Sequence, residues 1–99
     1  MSVTVLMKDV SASTVGQETS LRIIGTREPP GHMAVQIAVQ GTAEVQIQGR
    51  IARDAPWFNM GPAHSISALI HIHPVQFLRA VANDVAAGST VSVWAVWAW

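Results

Sequence analysis

The stretch Met33–Arg50, MAVQIAVQGTAEVQIQGR, decides the fold, because apolar and polar residues alternate along it in steps of two. A period of two is that of a strand buried on one side. In the first half the apolar face holds Val35, Ile37 and Val39, and in the second half it holds Ala43, Val45 and Ile47. Gly41 and Thr42 separate the halves. The stretch therefore predicts two half-buried antiparallel strands joined by a tight turn.

Five further segments outside this stretch are short and largely apolar and are bounded by turn residues, which is typical of strands. They are Ser2–Met7, Ser20–Thr26, Ser65–His73, Val75–Asn83 and Thr90–Trp99. Val75–Asn83 also suits a helical stripe through Leu78, Val81 and Ala82, and we favour a strand because a helix bounded by Pro74 and Gly88 would be short. Between them lie turn-rich segments such as Ala52–Ser65, where we expect Trp57 and Phe58 to anchor the loop over the sandwich edge. About seven strands in 99 residues predict an all-β chain, a two-sheet antiparallel sandwich of jelly-roll or immunoglobulin-like type, forming one domain over 1–99.

The same alternation predicts which side chains fill the space between the two sheets. In Ser65–His73 the apolar face would carry the isoleucines, and the other face would carry Ser67, Leu69 and the histidines. The predicted core is Ile37, Val45, Ile47, Ile66, Ile70 and Ile72.

The composition holds more apolar material than a core of this size needs. Hydrophobic residues make up 49% of the chain and charged residues 12%, about half the charged share of a typical globular domain. No run approaches the roughly 20 apolar residues of a membrane-spanning helix, and the start of the chain does not resemble a secretory signal. Contact with other protein is the remaining explanation, since subunit interfaces are depleted in charge and enriched in Trp and Met.

Charge and cysteine content exclude further classes. Six basic and six acidic residues are scattered singly and cancel, so no basic stripe indicates a nucleic-acid partner. The chain has no cysteine, which excludes disulfides and thiolate chemistry.

The last strand, Thr90–Trp99, departs from simple alternation because both of its faces are apolar. Trp94 and Val96 project to one side, and Trp97 and Trp99 to the other. A strand of this kind is buried on both sides. We therefore predict that Trp94, Val96, Trp97 and Trp99 lie in an interface with other subunits.

His71 and His73 are two residues apart on a predicted strand, so both imidazoles would project from the same face. Such a pair could bind one metal ion, with His64 or His32 as third ligand. No carboxylate or cysteine stands at a supporting spacing, and zinc sites usually have three or four protein ligands. We predict that His71 and His73 contribute to a subunit contact and bind no metal.

Catalytic arrangements can be nominated, but no motif supports them. Ser65, His64 and Asp54 could form a hydrolase triad, yet the chain has no nucleophile-elbow sequence. Glu44 and Asp54 could act as paired carboxylates, yet nothing distinguishes them from surface charges. There is no Gly-rich phosphate loop. The sequence predicts a protein that is not an enzyme and uses no cofactor.

Three segments together resemble small virion proteins of tailed bacteriophages. They are GTAEVQIQGR (Gly41–Arg50), APWFNMG (Ala55–Gly61) and VQFLRAVANDVAAGSTVSVW (Val75–Trp94). The resemblance covers a little over half of the chain and implies a jelly-roll or immunoglobulin-like sandwich with a structural role in the virion. It implies no catalytic residues.

The resemblance and the excess of apolar residues lead to the same functional expectation. We expect a virion structural protein, a capsid decoration (cement) protein that forms homo-oligomers and contacts the major capsid protein or other virion subunits. Two alternatives stay open. The four tryptophans could belong to a carbohydrate- or receptor-binding module of a phage tail or lectin-like protein, and the histidines could belong to a metal-dependent enzyme built on a small β-barrel.

Overall fold

The structure, a computed structural model, describes residues 2–20, 32–73 and 75–98, with the side chains of residues 2, 32, 97 and 98 excepted. The described residues form nine strands and no helix, which confirms the all-β prediction. The strands are β1 (Ser2–Val10), β2 (Thr14–Val15), β3 (Thr19–Ser20), β4 (His32–Gln40), β5 (Glu44–Arg50), β6 (Phe58–Asn59), β7 (Ala68–Ile72), β8 (Phe77–Asn83) and β9 (Thr90–Ala98). Six of the predicted strands correspond to β1, β4, β5, β7, β8 and β9. The other three, β2, β3 and β6, are two-residue strands, too short for an alternation to show.

The strands form two antiparallel sheets. Sheet 1 has the order β1-β9-β4-β7, and sheet 2 has the order β2-β8-β5-β6, with β3 also paired to β8. Four of the pairs are nested along the chain: β5 with β6, β4 with β7, β2 with β8, and β1 with β9. A long hairpin rolled up on itself pairs its strands in this way, and with β3 set aside the eight strands have the order of a jelly roll.

The core lies between the sheets and contains the alternating residues of the central strands. Ile37, Val45 and Ile47 are buried as predicted, and Ile70 and Ile72 pack against them while partly buried. On β9 the inward residues are Val91, Val93 and Ala95, and all three are buried.

The predicted tight hairpin between β4 and β5 is wrong. β4 pairs with β7 and β9 in sheet 1, whereas β5 pairs with β6 and β8 in sheet 2. The connection crosses the sandwich and is tied to the turn before β9: the Thr42 amide donates to Ser89 Oγ at 2.8 Å, and the Ala86 amide donates to the Thr42 carbonyl at 2.9 Å. The inward faces were predicted correctly because alternation reports which side is buried, not which strand is the neighbour.

Ile66 was also placed wrongly, because its side chain is 74% exposed. The predicted strand over Ser65–His73 starts only at Ala68, so Ile66 lies in an irregular segment where the period of two does not apply. Ser67 ends that segment by accepting a hydrogen bond from the Val39 amide at 3.0 Å.

The two aromatic residues of the loop after β5 differ from each other. Trp57 is half-buried over the outer side of sheet 2, whereas Phe58 is 72% exposed, so the prediction that both anchor the loop is wrong for Phe58. The predicted strand Ser20–Thr26 lies outside the described residues except for Ser20, which belongs to β3. Among the described residues no helix is capable of crossing a membrane.

Candidate functional site

The outer side of sheet 1 presents two rows of side chains that run across all four strands. One row is Val3, Val96, Ala34 and His71, and the next is Val5, Trp94, Gln36 and Leu69. Each member stands directly opposite its neighbour in the strand register, which places same-face side chains about 5 Å apart. These eight residues are called the apolar outer face below.

The apolar outer face is open to solvent although most of its surface is hydrocarbon. Val3 is 68% exposed and Leu69 67%, and Trp94 and Val96 at the centre of the sheet are half-buried. A shallow depression of about 270 Å³ lies over the face, bordered by Val3, Leu69 and Trp94. Contiguous apolar surface of this kind is typical of interaction sites.

Charge is almost absent from sheet 1. The only Lys, Arg, Asp or Glu residues on its four strands are Lys8 and Asp9, which come after the two rows on β1. The Asp9 amide donates to Ser92 Oγ at 2.9 Å, which holds this part of β1 against β9. The apolar outer face itself carries no ionised carboxylate, ammonium or guanidinium group.

The position of β9 explains why both of its faces are apolar. Although it is the last strand, it lies at the centre of sheet 1, paired with β1 on one side and β4 on the other. Trp94 and Val96 project outward, as the alternation predicted. Trp97 stands at an inward register position opposite Met33, but its side chain and the whole of Trp99 lie outside the described residues. Of the four predicted interface residues in the last strand, the structure therefore brings only Trp94 and Val96 into one described surface.

The two histidines border the same groove, and His71 alone also belongs to the apolar outer face. His71 belongs to the apolar outer face, opposite Ala34, at the end of a row. His71 and His73 also border a groove of about 260 Å³ at the open side of the sandwich, between the edge strands β6 and β7. The remaining walls of this groove are Phe58, Asn59, Met60, Gly61 and Ile72. Both imidazoles are exposed.

The described residues bring together no three side chains of His, Cys, Asp or Glu that could hold a metal ion. His64 pairs through its backbone with Val45, in both directions at 2.8 Å, and only the backbone of His32 is described. The histidine pair therefore has no third protein ligand within the described part of the chain.

The nominated catalytic residues lie apart. Glu44 begins β5, whereas Asp54 follows its end in a loop that the Arg50 side chain holds by donating to the Arg53 carbonyl at 2.8 Å. Seven strand residues span about 20 Å, so Glu44 and Asp54 are at opposite ends of the strand. His64 lies at the Val45 end, away from Asp54, so the structure does not assemble the nominated triad.

Sequence reasoning missed Val3, Val5 and Ala34 as parts of the surface. A β-bulge between Val5 and Met7 shifts the register, so Leu6 and Met7 are both buried while Val3 and Val5 point outward. Bulges place two residues opposite one and leave no signal in a pattern of alternation. Leu69 was predicted to point outward, but its row is apparent only once β9 is known to lie between β1 and β4.

Comparison of the chain with protein-family models, with curated proteins and with solved structures gave no match. The resemblance to small phage virion proteins therefore rests on the sequence segments alone.

Proposed function

We propose that this chain is a structural subunit of a virion, a capsid decoration (cement) protein that self-associates through its apolar outer face. The observation that carries the proposal is the pair of uncharged rows on the outer side of sheet 1. The jelly-roll order is compatible with it, since viral capsid proteins use this fold, but lectins and cupins use it too.

A second copy of the chain is the occupant that this face fits best. In a two-fold symmetric pair the same patch meets itself, so any charge near the axis would face its own copy. The rows contain no Lys, Arg, Asp or Glu side chain, so they avoid that repulsion. The apolar residues of one copy would contact the same apolar residues of the other. A self-complementary patch of this kind supports homo-oligomers.

The size of the face limits the area that self-association can bury. Four strands at about 4.8 Å spacing span about 19 Å, and two rows of side chains occupy about 13 Å along them, so the eight residues present on the order of 250 Å². Two such faces bury on the order of 500 Å², which is below the roughly 1,000 Å² of a stable specific interface. We expect a dimer that depends on protein concentration, with further contacts to the major capsid protein or other virion subunits completing the assembly.

Placing lysines on the apolar outer face should abolish this self-association. In a Val3→Lys, Leu69→Lys double variant, pairing would bury ammonium groups without partners, which costs several kcal/mol. We expect the association constant from sedimentation equilibrium to fall by more than about a hundredfold, since each 1.4 kcal/mol is about tenfold, with an unchanged circular dichroism spectrum.

The matched control is Val15→Lys, because Val15 is 60% exposed but belongs to β2 in sheet 2. It should associate like the wild type. If Val15→Lys and the double variant dissociate equally, or if the wild type is monomeric at every concentration, self-association through this face is refuted. Genes for portal or capsid proteins beside this one would support the virion role, and a neighbourhood without phage structural genes would count against it.

A carbohydrate- or receptor-binding module is the second candidate, and the groove between β6 and β7 favours it. Phe58 offers an exposed ring there, beside the Asn59 amide and two imidazoles, and sugar recognition combines an apolar ring face with nearby hydrogen-bonding groups.

A glycan array distinguishes this second candidate from the first. If the groove binds sugar, a small set of glycans should bind the wild type, and Phe58→Ala should lose at least about tenfold in affinity because the stacking surface is removed. Ile51→Ala, which also truncates an exposed apolar side chain, should bind as the wild type does. An array without signal contradicts this alternative and leaves the virion proposal unaffected.

A further inference from the structure

Three arginines converge on the outer side of sheet 2, opposite to the apolar outer face. Arg50 ends β5 and stands opposite Phe77 in the register, and Arg79 on β8 stands opposite Gln48. Arg53 comes from the loop that follows β5, and Trp57 from the same loop lies over the sheet. Arg50, Arg53, Arg79, Trp57 and Phe77 are called the arginine–aromatic cluster below.

Stacking on the two rings sets the positions of the guanidinium groups. The central carbons of Arg79 and Arg50 lie 4.2 Å and 4.5 Å from the centre of the Trp57 ring. Those of Arg53 and Arg50 lie 5.0 Å and 5.5 Å from the centre of the Phe77 ring. Guanidinium groups that share a ring are thus within about 10 Å of each other, a range over which like charges at a protein surface still repel.

Among the described residues, Glu18 is the only carboxylate that forms an ion pair with this cluster, and its partner is Arg50. Its Oε1 atom accepts from Nε of Arg50 at 3.1 Å and from Nη2 at 2.5 Å. Nη1 of Arg50 donates to the Arg53 carbonyl. All three guanidinium nitrogens of Arg50 therefore donate hydrogen bonds within the chain.

The other two arginines keep donors free for a further acceptor. Arg79 donates through Nε to Gln48 Oε1 at 2.8 Å, and within residues 2–20, 32–73 and 75–98 its two terminal nitrogens have no carboxylate within 4.0 Å. The same holds for the guanidinium of Arg53. Arg79 is half-buried and Arg53 is exposed, so both can be reached from solvent.

We infer that the arginine–aromatic cluster binds an acidic protein segment, whose carboxylates pair with the terminal nitrogens of Arg79 and with Arg53. Glu18 already shows that a carboxylate binds in this cluster, since its Oε1 atom accepts from two guanidinium nitrogens of Arg50, and hydrogen bonds between charged groups are stronger than neutral ones. Rings that hold the guanidiniums in place reduce the entropy that binding would otherwise lose. The inference does not depend on the virion role.

A nucleic acid fits these residues less well. The chain has no net charge, so it lacks the long-range attraction that nucleic-acid-binding domains use. Guanidinium groups lie over both rings, and Phe77 is buried, so the cluster offers little open aromatic surface for base stacking.

The inference is tested by titrating the full chain at low salt with a short peptide rich in Asp and Glu, followed by ¹⁵N–¹H NMR. A peptide of the same length with Asn and Gln in their place is the uncharged comparison, and inorganic phosphate is the small-anion comparison. We expect saturable shifts of the amides in Gln48–Trp57 and Phe77–Val81 with the acidic peptide alone. Arg53→Gln and Arg79→Gln should each raise Kd by about fivefold to tenfold, because each removes a charged hydrogen-bonding partner.

Lys8→Gln is the matched control, because it also removes one exposed positive charge but from β1 in the other sheet. It should leave Kd within about twofold. Equal losses for Lys8→Gln and the arginine variants, or equal binding of the acidic and uncharged peptides, would refute the site. Binding of phosphate without binding of the peptide would refute the assignment to a protein segment. Arg53 is exposed, so Arg53→Gln keeps the test valid if Arg79→Gln disturbs the fold.

Discussion

Replacing Ile47 with Ala should lower the free energy of unfolding by about 2–5 kcal/mol, the range for removing a large aliphatic side chain from a packed core. Ile47 is 1% exposed and lies on β5 opposite Ala80, between the two sheets. β5 is hydrogen-bonded to β8 on one side and to β6 on the other, so the sheet cannot close fully around the lost volume. Urea unfolding of the wild type and the variant measures the difference.

Ile66→Ala is the matched control for Ile47→Ala. It removes the same atoms from a side chain that is 74% exposed, so its effect should stay within about 0.5 kcal/mol. Similar losses for the two variants would show that the sheets do not pack around Ile47 as described.

Replacing Gly41 with Ala should lower the free energy of unfolding by about 2–5 kcal/mol, because backbone strain and steric overlap both contribute. Gly41 has φ +91°, where a side chain costs about 1–3 kcal/mol. A Cβ atom there would also overlap Ser89, 2.9 Å from its Cβ and closer still to its Oγ. Ser89 is buried and its Oγ accepts a hydrogen bond from the Thr42 amide, so Ser89 cannot move aside without losing that hydrogen bond.

Gly61→Ala separates these two costs. Gly61 has the same φ of +91°, but nothing lies within 4 Å of the place where its Cβ would stand. Its variant should lose only the conformational part, about 1–3 kcal/mol, and unfold at a higher urea concentration than Gly41→Ala. If the two variants are equally stable, the turn before β9 does not press on Gly41, and the crossing between the sheets is described wrongly.

Alternation in the sequence predicted burial better than it predicted pairing. Val45 and Ile47 could be assigned to the core because a strand with one buried side shows a period of two. The partner of β5 could not be found in that way, since a hairpin and a crossing between sheets bury the same residues. The difference depends on Ser89, which is 47 residues from Thr42 along the chain and holds the crossing in place.

The candidate surfaces were predictable only in part, for the same reason. Trp94 and Val96 could be placed on one side of the last strand from their spacing, and Leu69 on the outward side of its own. These residues form rows with Val3 and Val5 only because of the strand order. A local sequence pattern does not contain the strand order. The arginine–aromatic cluster was missed because Arg50 and Arg79 become neighbours only through the register of β5 against β8.

The central place of β9 also determines when the protein can fold. The ribosome makes β9 after the other eight strands that the structure describes, and until β9 emerges β1 and β4 lack the strand that joins them. Sheet 1 therefore cannot assemble during synthesis of the preceding segments, and its closure requires contacts between residues as far apart as Ser2 and Trp97. Chains with such distant contacts fold slowly, in milliseconds to seconds, and expose unpaired strand edges meanwhile. For this chain, the period of greatest risk of aggregation is the interval between translation of β4 and release of β9.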